Sequence, residues 1–114
     1  MGSPSLAAYT GAKAFSRIFT EALWAECVPL GVDVLHLNIG FTATPAMARL
    51  GYDLTTATAP EVVAQEGIDH IADGPVWIAG GEGNWEQARR RSVVDGRAQA
   101  IRAHATPPRE STTR

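Results

Sequence analysis

Tyr9 and Lys13 stand four positions apart in the stretch Tyr9-Thr10-Gly11-Ala12-Lys13, a spacing that puts both side chains on one face of an α-helix. A tyrosine phenol keeps its proton at neutral pH, and a neighbouring ammonium favours the phenolate. Such a pair can therefore give a proton to a substrate oxygen or take one from it. Lys13 is the only lysine in the 114 residues, and Tyr9 is one of two tyrosines. The same spacing also suits a solvated helix face, and the pair alone does not decide between the two.

A second chemical group is Asn38-Ile39-Gly40-Phe41-Thr42-Ala43-Thr44-Pro45. It follows Val32 to Asn38, a run too short for a helix, rich in β-favouring residues and almost continuously apolar, which predicts a parallel strand covered on both faces. Ligands of open α/β sheets bind at the carboxyl ends of such strands. Gly40 allows close backbone approach there, and the hydroxyls of Thr42 and Thr44 can bond amide or phosphate groups.

A third is the Gly80-Gly81-Glu82-Gly83 turn between an expected strand, Pro75 to Ala79, and a helix starting near Asn84. Strand, Gly-rich turn and helix is also the layout of a phosphate cradle. The third glycine of that pattern is missing, and Glu82 and Glu86 would repel phosphate, so the stretch reads as a structural turn, with Asn84 and Gln87 capping the helix.

These groups need elements to hold them. From Leu6, with Ser5 as N-cap, apolar residues recur at helical spacing to about Pro29, where Pro29 and Gly31 end the helix. The apolar residues cover most of its circumference, which calls for two packing partners. Thr58-Ala59-Pro60-Glu61 is a capping box opening a second helix that ends near Gly74, with Val62, Val63, Gly67, Ile68, Ile71 and Ala72 on its buried face. Between strand and second helix, Phe41 to Ala57 reads as a lid or binding loop with apolar content, or, over Ala46 to Leu50, as a short helix on the domain edge. The order helix, strand, helix, strand, helix is that of an α/β domain with a parallel sheet, spanning residues 1–105, followed by a disordered tail at 106–114 rich in Pro, Ser, Thr and Arg.

Composition excludes several function classes. A formal charge of −2 gives no overall pull toward nucleic acid or membrane. Seven of nine arginines fall between Arg89 and Arg114, but no aromatic residue follows Trp85 to interleave them, so this basic end reads as a solvated helix face and tail rather than a nucleic-acid surface. The lone Cys27 excludes an internal disulfide framework and a paired-cysteine metal site. His36, His70 and His104 have no carboxylate or cysteine at ligand spacing, so no metal is expected. No secretory leader and no long apolar run is visible, and the expectation is a cytoplasmic protein.

Tyr9-Thr10-Gly11-Ala12-Lys13-Ala14-Phe15, then a helix, then a strand ending in Gly40-Phe41-Thr42-Ala43-Thr44-Pro45, resembles the carboxyl-terminal half of a short-chain dehydrogenase/reductase over roughly residues 2–83. The resemblance implies a partial Rossmann-type doubly wound parallel sheet and a nicotinamide cofactor, NAD or NADP. It implies that Tyr9 transfers the proton and that Lys13 holds the nicotinamide ribose. It also implies that Ile39, Gly40, Thr42 through its backbone, and Thr44 contact the nicotinamide end, with Ile39 standing where the family has proline.

An alcohol or carbonyl substrate, apolar if the Phe41 to Leu54 loop closes over it, and a homo-oligomer formed through the Tyr9-Lys13 helix complete the expectation. The family's catalytic serine precedes the tyrosine by more residues than this sequence has before Tyr9. Its catalytic asparagine, its Gly-rich dinucleotide turn and the residue that selects the cofactor also precede this region. The 114 residues are accordingly expected to be inactive as they stand. The competing expectation is a non-catalytic α/β fragment or self-association module, since an unpaired sheet edge and a partly uncovered helix leave apolar surface open.

Overall fold

The computed structural model describes Gly2, residues 4–93 and residues 95–104, so the tail expected at 106–114 lies outside the described residues. In chain order the elements are α1 (Ala7–Cys27), β1 (His36–Asn38), α2 (Pro45–Arg49), α3 (Pro60–Asp69), β2 (Val76–Ile78), α4 (Glu82–Ser92) and α5 (Arg97–His104), with single 3-10 turns at Val28–Leu30 and Ile71–Asp73. β1 and β2 form a two-stranded parallel sheet in the register His36 to Val76, Leu37 to Trp77 and Asn38 to Ile78. This is an α/β arrangement compatible with part of a Rossmann-like sheet.

Both strands are shorter than expected, and the ladder chemistry explains where they stop. His36 N–H donates to Pro75 C=O at 2.9 Å, and Ala79 N–H donates to Asn38 C=O at 2.9 Å. Continuing this pattern toward Val34 would require an N–H from Pro75, which proline lacks. The segment from Val32 to Leu35 therefore runs on without a ladder.

Several helix ends differ from expectation. Ser5 has φ 64°, and the N-cap of α1 is Leu6, without a side-chain bond. Thr58 does not cap α3, because its backbone is drawn into an isolated parallel bridge with Thr42: Thr58 N–H donates to Phe41 C=O at 3.0 Å and Ala43 N–H to Thr58 C=O at 2.8 Å. The cap falls to Ala59, with no side-chain bond. The other C-terminal end of α1 is as expected: the turn through Pro29 closes on Gly31 at φ 76°, whose N–H donates to Val28 C=O at 3.0 Å. α4 starts at Glu82, earlier than expected, and chain direction breaks at Gly96, φ 71°, before a separate α5. Arg97 donates to the Arg91 carbonyl at 2.8 Å, satisfying an open acceptor at the end of α4.

The core is small. Among the described residues the buried apolar side chains are Val63, Ile78 and Ala79. On α3 only Val63 and Gly67 are buried, whereas Val62 and Ile68, and Ile71 in the turn that follows, are exposed; Gly67 is where the helix meets Leu37 of β1. That contact is close: a Cβ on Gly67 would stand 2.7 Å from Leu37 Cδ2. Around β2 the packing is aromatic. Trp77 stacks on His70 at 3.5 Å, takes the edge of Trp85 at 5.3 Å, and donates its indole N–H to Glu66 at 2.9 Å, so one side chain joins α3, β2 and α4.

α1 is divided along its length. The side toward β1 carries Lys13, Arg17 and Glu21, with Arg17 and Glu21 paired at 3.2 Å. The opposite side carries Phe15, Ile18 and Phe19, 68%, 62% and 55% exposed, with the two phenyl rings stacked at 5.7 Å. Of the two packing partners that its apolar pattern calls for, α1 has one among the described residues, the sheet.

Two predictions follow from this packing. At Gly74 an added Cβ would run into the Val34 carbonyl oxygen and Trp24, and backbone cannot turn aside as a side chain can, whereas a Cβ at helical Gly11 meets nothing within 4 Å. Urea unfolding should show Gly74→Ala destabilised by about 1–3 kcal/mol and Gly11→Ala stabilised by about 0.5–1 kcal/mol. His36 titrates in the opposite sense to most paired histidines. Burial holds its imidazole below the ordinary value of 6.5, with Arg17 and Lys13 pushing the same way and Glu21 opposing. The unfolded chain then takes up a proton more readily than the folded one, so the stability from neutral His36 is full above 6.5 and is lost as pH falls through the folded value. The melting temperature should drop between neutral pH and about 5, and drop less in His36→Gln.

Candidate active site

α1 brings Tyr9 and Lys13 together as their spacing requires: the Lys13 ammonium lies 5.5 Å from the centroid of the Tyr9 ring. Tyr9 is 59% exposed, so its hydroxyl is open to a molecule approaching from solvent. Lys13 makes no ion pair among the described residues; its ammonium stands over the Tyr9 ring, and its charge helps hold the His36 imidazole down.

Directly after β1 the chain turns away from the sheet through Ile39 and Gly40, and the residues singled out in the sequence take distinct positions. Ile39 is 46% exposed. Thr42 is 6% exposed, and its hydroxyl donates back to the Gly40 carbonyl at 3.1 Å, which closes the loop on itself. The bridge to Thr58 uses Phe41 C=O and Ala43 N–H, so the N–H and C=O of Thr42 itself stay outside it. Thr44 is the N-cap of α2, its Oγ1 accepting from Met47 N–H at 3.2 Å with Pro45 at the first helical position. The hydroxyl hydrogen of Thr44 is left to donate elsewhere. Within Phe41 to Ala57 the short helix expected over Ala46 to Leu50 forms as α2, one residue earlier, and Phe41 meets Tyr52 at 5.8 Å across it.

The structure thus gathers the candidates into two groups, Tyr9 with Lys13 on α1, and Ile39 to Thr44 beyond β1. Among the described residues no hydrogen bond or ion pair joins the groups. α1 packs on β1, which sets them on neighbouring elements of the chain.

The Gly80-Gly81 turn is structural in its geometry. Both glycines have positive φ, 95° and 88°, and Gly80 N–H donates at 3.2 Å to the Glu66 carboxylate, an anion where a phosphate would have to sit. Two residues outside the sequence candidates border the site here. Glu66 ties α3 to β2 and to this turn. Asn84, read from sequence as a cap, lies in the first turn of α4 behind the actual N-cap Gly81, and its Nδ2 donates to Ala79 C=O at 2.8 Å. Its place after two glycines was legible, but its target was not, because Ala79 becomes available only once the strands pair. Among the described residues no group of three or more His, Cys, Asp or Glu could hold a metal ion, and no helix is long and apolar enough to cross a membrane.

No family model matches the chain, and no solved structure matches it. Two curated proteins do. The chain is 30% identical over 96 residues to a 7beta-hydroxysteroid dehydrogenase of Clostridium sardiniense, covering 81% of this chain and 36% of that protein. It is 44% identical over 50 residues to a very-long-chain 3-oxoacyl-CoA reductase of Neurospora crassa, covering 44% of this chain and 15% of that protein. The chain therefore spans about a third of the first relative and a much smaller part of the second. By name one relative is a dehydrogenase and the other a reductase, and these matches, at low identity and over part of their length, support a relationship to oxidoreductases like the short-chain dehydrogenase/reductases.

Proposed function

We propose that the chain is part of an oxidoreductase of the short-chain dehydrogenase/reductase type, which moves hydride between NAD or NADP and an alcohol or carbonyl compound. The observation that carries the reading is the Tyr9-Lys13 pair on the helix packed against β1, with the Ile39 to Thr44 loop at the carboxyl end of that same strand. The two oxidoreductase relatives support it.

The residues present fit the nicotinamide end of such a cofactor. Gly40 has no side chain in the way, and its N–H makes no hydrogen bond among the described residues. With the Thr44 hydroxyl it offers two donors for a carboxamide oxygen, beside the Thr42 backbone, which stays outside the bridge to Thr58, and next to Ile39. The Lys13 ammonium suits ribose hydroxyls. A bound nicotinamide supplies or accepts the hydride. Tyr9 exchanges the proton with the substrate oxygen, and the Lys13 charge steadies the negative charge left on the phenolic oxygen. Phe41, Met47, Leu50, Tyr52 and Leu54, around α2, give the substrate an apolar wall, consistent with relatives named for a steroid and a long-chain acyl compound.

Hydride transfer also needs a second donor at the substrate oxygen and a cradle for the rest of the dinucleotide. The 114 residues alone are therefore proposed to bind the nicotinamide end without turning over, and the serine and Gly-rich turn are to be supplied by an amino-terminal half. In the chain completed in that way, Tyr9→Phe should lower the rate of cofactor-dependent ketone reduction roughly 10²–10⁴-fold while cofactor affinity stays nearly constant. Equal activity would defeat the assignment of Tyr9. Titration of the 114-residue chain with NADH and NADPH should saturate, and a flat titration would leave the non-catalytic reading standing for this chain.

One observation favours self-association beside catalysis: Ala14, Phe15, Ile18, Phe19 and Ala22 form an uncovered apolar groove on α1. Alternating small and large residues at this spacing suit a second copy of the same helix. Sedimentation equilibrium should show a dimer that Phe15→Glu and Ile18→Glu each convert to monomer. A wild-type chain that is monomeric at all concentrations sinks this part.

A further inference from the structure

We propose that Asn84 is a positioning residue that takes over one rung of the sheet and thereby frees the Gly40 N–H to meet a ligand, a role that rests for its ligand on the oxidoreductase reading. The rungs run His36 N–H to Pro75 C=O and Ala79 N–H to Asn38 C=O. With Asn38 opposite Ile78, the next rung of a parallel ladder would run from Gly40 N–H to Ala79 C=O. That acceptor instead receives Asn84 Nδ2 at 2.8 Å, and the carboxamide stands in the space through which Gly40 would have to approach it.

The carboxamide can reach it because the neighbouring positions lack side chains. Asn84 Nδ2 lies 3.0 Å from where a Cβ on Gly40 would stand, and the same atom blocks the space a Cβ on Gly80 would need. Asn84 thus occupies the gap between the ends of β1 and β2. The Gly40 carbonyl is held by the Thr42 hydroxyl at 3.1 Å, while its N–H has no acceptor among the described residues and Gly40 is exposed. A free backbone donor at the carboxyl end of a parallel strand suits an acceptor oxygen such as a nicotinamide carboxamide. Without Asn84 the Ala79 carbonyl would draw Gly40 N–H into the ladder and the donor would be lost.

The test is amide hydrogen exchange by NMR on the 114-residue chain. In the wild type the Gly40 amide should exchange fast. In Asn84→Ala the vacated Ala79 carbonyl, and in Asn84→Asp that carbonyl or the new carboxylate, should slow Gly40 exchange at least tenfold, while a merely structural role for Asn84 would speed exchange throughout the sheet. Gly40 exchange unchanged or faster in both variants overturns the proposal, and the isosteric Asn84→Asp answers if Asn84→Ala fails to fold. In parallel, NADH and NADPH are titrated into each chain while the Gly40 resonance is followed. A saturable shift of that resonance, weakened at least fivefold in both variants, is expected. Saturation with Gly40 unmoved overturns the ligand role of its N–H, and a wild-type chain that binds neither cofactor overturns the oxidoreductase reading for this chain, with the exchange comparison still deciding the role of Asn84.

Discussion

The three-residue parallel ladder between His36–Asn38 and Val76–Ile78 is the constraint on which the rest depends. It is bounded at one end by Pro75, which has no N–H to give, and at the other by the Asn84 carboxamide on Ala79. Between those limits it fixes where α1 rests, where the Gly40 loop leaves the sheet, and where Trp77 meets Glu66 and His70. A two-stranded sheet is marginal alone, and here the side chains around Trp77 do much of the holding that further strands would do in a wider sheet.

Tyr9 and Lys13 were legible in the sequence because a helix turns a four-residue spacing into proximity without help from any other segment. The helix around them, the two strands and the Gly80-Gly81 turn were legible for the same local reason. What could not be read depended on partners distant in sequence. Thr58 has the spacing of a capping residue, yet its backbone is claimed by Phe41 and Ala43. Asn84 has the look of a cap, yet its amide goes to Ala79. Val62, Ile68 and Ile71 repeat as a buried face should, yet nothing among the described residues covers them. In each case a local rule was sound and a tertiary competitor, or the lack of one, decided the outcome.

α1 shows the same conflict on one element. Ahead of Trp24, which packs inward, its charged residues face the strand while Phe15, Ile18 and Phe19 face away from it. In an isolated globular domain the hydrophobic effect would favour the reverse arrangement. The Arg17-Glu21 pair lies half-buried on the inward side, and Phe15, Ile18 and Phe19 are left exposed. Contact with the strand and the demand for a packing partner are thus written into opposite faces of a single helix.

The ladder partners lie forty positions apart, His36 against Val76, with two helices, turns and the Thr42-Thr58 bridge between them. Closing a loop of that length costs entropy before any rung repays it, whereas α1 and α3 can form from contacts within a few residues. Helices should therefore precede the sheet in time, and the aromatic side of α1 should be present in the chain before the strands that anchor its other side have met. The ladder that anchors α1 is then also the feature that sets the order in which this protein must be assembled.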